Sequence, residues 1–431
     1  MTVTNSIIYK VTRGAFLLMG AAILARGSVL ISNIVIARQL GLEKFGEFNI
    51  VQNTLLMVAG ISTLGTGLTA IKYISENRQR NPDKIGDILY FCYTFTGIFG
   101  AIASFLIFLL SSIISSYLGV GASVELLLKI GAFQILPISI LAIQIGALSA
   151  LNNFFGSVIV SSIIGGTMLL LIYPMIMLFG ILGAVIVLSI SNCLGCIIAH
   201  LLIKHECYKR NIKFKVSKHN PFNSSNIHLL LFSFPSAVST MIIPIFSWVN
   251  YKILIGTENG IEEMGRFSAA EQIRVLILFL PGLLAKSIFP ELSASKDKEV
   301  PLFTKSSRTV VNNYIYIQIT LTCLPLFVLL LFPSITEKIF GNQFSGSEHI
   351  IAILALSCIP IAWVNAYSMV FAHLDNMWFD VLCNLLWAFC CAMLFIGVFY
   401  SFGSAGLAMS ILISLGVKAI FMKSIAYYIS K

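Results

Sequence analysis

Residues 88–114 read ILYFCYTFTGIFGAIASFLIFLLSSII, without one charged side chain. A run this long and apolar can cross a ~30 Å hydrocarbon layer as a helix. It shows no alternation of period two, which argues against a barrel strand. In lipid only helices and closed barrels satisfy their own backbone groups. The stretch therefore predicts a membrane-spanning helix.

Working outward from it, the same pattern recurs along the whole chain. Twelve spans are predicted, at 14–37, 46–71, 88–114, 124–150, 156–178, 181–203, 227–255, 265–289, 310–335, 347–372, 377–400 and 404–428. Tight turns at 179–181 and 401–403, holding Gly180 and Gly403, separate adjacent helices. Charged residues make up only 11% of the 431 residues, against about 25% in soluble domains. Too little charge is left to cover a soluble domain. Lys10 and Arg13 precede the first apolar stretch as in a signal peptide. That stretch is too long and holds Arg26, so it reads as an uncleaved first helix.

The net charge is +10, and its placement matters more than its size. One set of alternate loops holds Lys72, Arg78, Arg80 and Lys84, then Lys204, Lys209, Arg210, Lys213, Lys215 and Lys218, then Lys296, Lys298, Lys305 and Arg308. The same side takes Lys10, Arg13 and Lys431 at the termini. The opposite set offers Arg38, Lys44 and Lys338, and carries Glu258, Glu262 and Glu263. The positive-inside rule then puts both termini in the cytoplasm. An even number of spans is required, and twelve satisfies it. No recognition motif accompanies the basic residues, so nucleic acid is not a partner.

The chain is internally duplicated. Gly41-Leu42-Glu43-Lys44-Phe45-Gly46-Glu47-Phe48 matches Gly260-Ile261-Glu262-Glu263-Met264-Gly265-Arg266-Phe267, an offset of 260 − 41 = 219. Leu151-Asn152-Asn153 matches Leu374-Asp375-Asn376, and Phe179-Gly180-Ile181-Leu182-Gly183 matches Phe402-Gly403-Ser404-Ala405-Gly406, both offset by 223. Helix n thus corresponds to helix n+6 in the same orientation. The predicted fold class is all-α integral membrane: twelve helices in two parallel-repeat six-helix bundles, a known transporter plan. The lobes are 1–210 and 227–431, joined by a basic cytoplasmic linker at 211–226.

Charge buried mid-membrane costs roughly 2.5–3.5 kcal/mol on insertion scales, so each such residue needs a reason. Arg26 lies about twelve residues, roughly 18 Å, into the first span. Arg274 sits mid-depth in the eighth span, Lys418 in the inner half of the twelfth, and Lys252 near the outer end of the seventh. These four are the candidate substrate-binding residues. Glu271 is the one carboxylate placed clearly within a span, three residues before Arg274 on the same helix face. It is the candidate ion-coupling residue. Surplus positive charge suits an anionic passenger such as a phosphate.

Other chemistry is not offered. The chain lacks a phosphate-binding loop and the hydrolase and kinase motifs, and so does not read as an enzyme. Its six histidines are dispersed, and Cys193 and Cys196 stand as a lone pair on a membrane helix. Neither pattern makes a metal site, and no cofactor is expected. A glycan polymerase or ligase would need a large outer loop, and none exceeds about a dozen residues.

Residues 37–76 carry a resemblance. Ala37-Arg38-Gln39-Leu40-Gly41-Leu42-Glu43-Lys44-Phe45-Gly46-Glu47-Phe48, through Gly60, Gly65 and Gly67 to Lys72-Tyr73-Ile74-Ser75-Glu76, is similar to the opening signature of bacterial polysaccharide flippases. These are the O-antigen translocases (Wzx proteins) of the multidrug/oligosaccharidyl-lipid/polysaccharide exporter superfamily. The resemblance implies flipping of an undecaprenyl-diphosphate-linked O-antigen unit across the bacterial inner membrane, by alternating access through a cationic central cavity. It implies contact with membrane lipids, and brings a proton or sodium ion as candidate coupling ion and the O-antigen polymerase machinery as candidate partner. The alternatives within the superfamily are a multidrug/cation antiporter and a peptidoglycan-precursor flippase. The antiporter expects a carboxylate in the first or seventh helix, where this chain has Arg26 and Lys252.

Overall fold

A computed structural model describes residues 2–212, 227–294, 312, 315–323, 325–327, 335–373 and 377–429. The longer helices in chain order are α1 (Thr2–Thr63), α2 (Thr66–Arg80), α3 (Asp83–Leu118), α4 (Ala122–Gly131), α5 (Ile135–Ala150), α6 (Phe154–Phe179) and α7 (Ile181–Lys209). They continue as α8 (Ile227–Ile255), α9 (Gly260–Ala294), α10 (Ile335–Phe340), α11 (Glu348–His373), α12 (Met377–Leu394) and α13 (Gly403–Ile429). No strand occurs among the described residues.

Eight described helical stretches are long and apolar enough to cross a membrane. Two of them, Ile23–Thr63 and Trp378–Ala426, hold 41 and 49 residues. At 1.5 Å per residue these run about 60 and 70 Å, twice the hydrocarbon thickness. Each is broken once by glycine. Gly41 has φ 78°, ψ 177° inside α1, and Gly403 has φ 54° after a π-helical turn at Phe395–Phe399. The expected spans 265–289 and 310–335 fall in α9 and in helical residues 315–323 and 325–327, neither among the eight. Most of the basic segments 204–226 and 290–309 lie outside the described residues.

Two boundaries differ from expectation. The first two spans are two helical segments that meet at the single non-helical residue Gly41, with no longer loop between them. At the kink, Gln343 Oε1 accepts from the backbone N–H of Leu42 at 3.3 Å, replacing the helical partner lost at Gly41. The second span then ends at Thr63, where Leu64 and Gly65 take positive φ. Residues 66–80, expected to run from span into loop, are the helix α2. Its Ala70 and Ile74, four residues apart, are fully buried while Ser75 and Glu76 face outward. Four-residue spacing sets one helical face, and charge alone did not reveal it.

Packing divides the chain into two units. One comprises Met1–Gln39 and Val51–Ala237, the other Leu40–Ile50 and Val238–Lys431. The contiguous division expected at 211–226 does not anticipate that residues 40–50 pack with the second unit. They do so because Phe45 stacks edge-on against Phe344 at 5.8 Å and Gly46 lies against the backbone of Ile261.

In the first unit the core gathers Ile74, Ile85, Leu89, Leu148 and Ile203. In the second it gathers Val364, Phe371, Cys383 and Met422. Ile102, Phe105, Leu109 and Ile113 of α3 are exposed, a continuous apolar face that water would not tolerate but lipid does. Lipid tails give helices no hydrophobic reason to associate, so close backbone approach at small residues takes over. A side chain on Gly146 would meet the carbonyl of Gly67 at 2.8 Å, and one on Gly165 the carbonyl of Ala25 at 2.7 Å.

The duplication is visible in the backbone. Gly180 has φ 58°, ψ −136°, and its counterpart Gly403 has φ 54°, ψ −128°. Three residues on, Gly183 and Gly406 each leave no room for a Cβ against a carbonyl of the preceding helix, that of Met175 and of Phe399.

Candidate functional site

Arg26 lies on α1, half-buried. It has no hydrogen-bond or ion-pair partner among the described residues. Helix α6 crosses α1 one residue away, at the Ala25–Gly165 approach. Close packing there fixes the backbone beneath Arg26.

Arg274 and Glu271 form the i,i+3 pair that their spacing suggested. Arg274 Nε donates to Glu271 Oε2 and Nη2 to Oε1, both at 2.7 Å. The side chains are 18% and 23% exposed, so the pair is largely withdrawn from solvent and close to neutral as a unit. Lys252 is half-buried, three residues from the end of α8. Lys418 is 3% exposed, and its ammonium donates to Asn384 Oδ1.

That last contact leads to residues the sequence did not single out. Asp380, 7% exposed, is a second intramembrane carboxylate beside Glu271. Ser239 of α8 donates to its Oδ2, and Ser368 of α11 to its Oδ1 at 2.7 Å. Asn384 adds a bond to Oδ2 at 3.2 Å and another to Ser239 Oγ at 3.0 Å. Four helices thus meet in one polar cluster whose cation is Lys418. Asp380 is the fourth residue of α12, where an acid reads as a helix-start residue favoured by the dipole. The Asp380–Asn384 spacing of four in an apolar segment was the available signal.

The first unit holds an uncharged counterpart. Gln134, fully buried, donates to Gln52 Oε1 at 3.3 Å and accepts from Asn192 at 3.5 Å. Buried amides of this kind join helices in membranes. On the other side of the unit, Arg210 donates to the carbonyl of Leu151 at 2.6 Å and Arg78 to that of Ala150 at 3.2 Å, closing the last turn of α5. Asn153 caps α6 by accepting from Gly156 N at 2.7 Å. No group of three or more metal-ligating side chains occurs among the described residues.

Comparison with known proteins agrees with this picture. Residues 11–296 match the family described as "Polysaccharide biosynthesis protein". A Shigella flexneri protein described as "Putative O-antigen transporter" is 24% identical over 345 residues, covering 77% of this chain and 79% of that one. Among solved structures, a transporter of the multidrug/oligosaccharidyl-lipid/polysaccharide superfamily from Pyrococcus furiosus superposes with a TM-score of 0.75 at 17% identity, over 96% of this chain and 94% of that one. The lipid II flippase MurJ in an inward closed conformation gives 0.74 at 16% identity, over 96% and 87%. An inward-facing multidrug-resistance transporter of the same superfamily gives 0.73 at 14%, over 94% of each. The chain belongs to the polysaccharide biosynthesis protein family, and it is an all-helical, multi-pass membrane protein with the fold of that exporter superfamily.

Proposed function

We propose that the protein moves an undecaprenyl-diphosphate-linked O-antigen repeat unit from the cytoplasmic to the periplasmic leaflet of the bacterial inner membrane. It would do so by alternating access of its two repeats, with twelve crossings and both termini in the cytoplasm. The observation that carries this reading is Arg26, an intramembrane guanidinium with no partner among the described residues. A cation at that depth is costly unless an anion meets it during the working cycle. A planar guanidinium binds phosphate through paired hydrogen bonds, which fits a diphosphate head group.

Membership of the polysaccharide family and the name of the Shigella relative supply the rest of the passenger. Of the other expected cations, Lys252 serves as a second direct contact. Lys418 adds positive charge while held by Asn384, and Arg274 contributes only where the passenger's phosphate draws it away from Glu271. A peptidoglycan-precursor flippase is the second reading, because its passenger carries the same lipid diphosphate.

A deletion strain tests the choice. Loss of surface glycan with lipid-linked repeat units accumulating inside, and peptidoglycan synthesis intact, is the expected outcome. Normal surface glycan with arrested peptidoglycan synthesis would select the second reading.

A further inference from the structure

Two polar atoms deep in the second unit have no partner among the described residues, and they sit on neighbouring helices. Asn250 of α8 is 2% exposed and Trp387 of α12 is 6% exposed. Asn250 Oδ1 and Trp387 Nε1 are both buried without a hydrogen bond. Asn250 Nδ2 reaches Cys391 Sγ at 3.7 Å, which brings α8 against α12 one helical turn from Trp387. An acceptor and a donor left unmade forfeit their whole desolvation cost, so they are a poor way to join two helices. The first repeat shows that the fold does not need them. The corresponding positions, at 250 − 219 = 31, 387 − 223 = 164 and 391 − 223 = 168, are Ile31, Ile164 and Met168. One repeat is apolar at these positions, whereas the other carries an unmet acceptor, an unmet donor and a thiol.

We infer that Asn250 and Trp387 form a sugar-binding site, which holds one ring of the passenger's glycan by its hydroxyls. A hydroxyl both donates and accepts, so neighbouring hydroxyls of one sugar supply Asn250 Oδ1 with a donor and Trp387 Nε1 with an acceptor. The indole adds a flat apolar wall for the C–H side of the ring. Aromatic walls with a few placed polar groups are the common make-up of small-molecule sites. The cluster continues to the Arg274–Glu271 pair, since Arg274 stands within electrostatic reach of Cys391 and, with Glu271, of Tyr251. Those two side chains are 18% and 23% exposed, so the cluster runs from a closed inner end to a partly accessible one. Just beyond Cys391, α12 turns π-helical at Phe395–Phe399, a distortion that recurs at functional sites. A single buried water would satisfy the same two atoms, but it gives no reason for only the second repeat to carry them.

The inference rests on the flippase reading, and the two fail separately. Purified protein in phosphatidylcholine vesicles is titrated with two probes, undecaprenyl diphosphate and the undecaprenyl-diphosphate oligosaccharide extracted from the source bacterium. Wild type is expected to bind the glycan-bearing lipid about tenfold more tightly than the bare one, because a site built around hydroxyls discriminates against a ligand that lacks them. Trp387→Phe and Asn250→Leu should each erase most of that preference and leave the affinity for undecaprenyl diphosphate as it was. Arg26→Ala should weaken both probes alike. With neither lipid present, Asn250→Leu should melt at or above the wild-type temperature, since an apolar side chain of similar size replaces an unmet polar one. Binding of neither probe by wild type removes the flippase reading itself. Equal binding of both probes by wild type, or an undiminished preference in either variant, overturns the sugar site. So does an Asn250→Leu protein that melts well below wild type, the mark of an atom completed by a buried water only.

Discussion

Gly46 and Gly265 occupy reciprocal positions. A Cβ on Gly46 would overlap the carbonyl oxygen of Ile261, and a Cβ on Gly265 would overlap that of Leu42. The four residues are themselves repeat counterparts, since 265 − 46 and 261 − 42 both equal 219. The two copies of the motif therefore pack on each other reciprocally. The motif that revealed the duplication in the sequence is also its contact surface.

The reciprocity makes a stability prediction. Gly46→Ala and Gly265→Ala should each destabilise the protein by about 1–3 kcal/mol, the usual range for forcing atoms into a packed contact. Thermal unfolding in detergent measures this, and the double variant should lose less than the sum because the sites share one contact. Two variants as stable as wild type would mean that the helices do not meet there.

The Arg274–Glu271 pair makes another. Removing one partner of a buried pair costs about 3–5 kcal/mol, and partial exposure here reduces that to roughly 1–3 kcal/mol. Arg274→Met should therefore unfold earlier than wild type. Adding Glu271→Gln to it should recover most of the loss. If the double variant is the less stable one, the pair is not a self-contained neutral unit.

Much of this arrangement was legible in the residues. Uninterrupted apolar runs gave the helices, three short blocks gave the duplication, and i,i+3 spacing gave the Arg274–Glu271 pair. Other features depend on partners far away in the chain. The two segments of α1 can meet at Gly41 without a loop, where Gln343, 301 residues on, supplies an acceptor for the N–H of Leu42. Residues 66–80 looked like a span sliding into a basic loop, and only the burial of Ala70 and Ile74 makes them a helix with an inner face. Asp380 resembled an ordinary helix-start acid because the hydroxyl of Ser239 that buries it comes from 141 residues earlier. Local patterns announce elements, whereas polar clusters between elements are written in no single window.

Topology gives a third prediction. With both termini in the cytoplasm, alkaline-phosphatase fusions after residue 258 should be active and those after residue 215 inactive, since the enzyme folds only outside. The reverse pattern would invert the orientation read from the basic loops.

Arg26 tests the central claim most directly, in vesicles that hold the purified protein and a fluorescent lipid-diphosphate oligosaccharide. A guanidinium–phosphate contact is worth about 1.5–3 kcal/mol, so Arg26→Ala should flip the passenger at least tenfold more slowly than wild type at equal protein, with Arg26→Lys in between. Equal rates for Arg26→Ala and wild type would contradict the account.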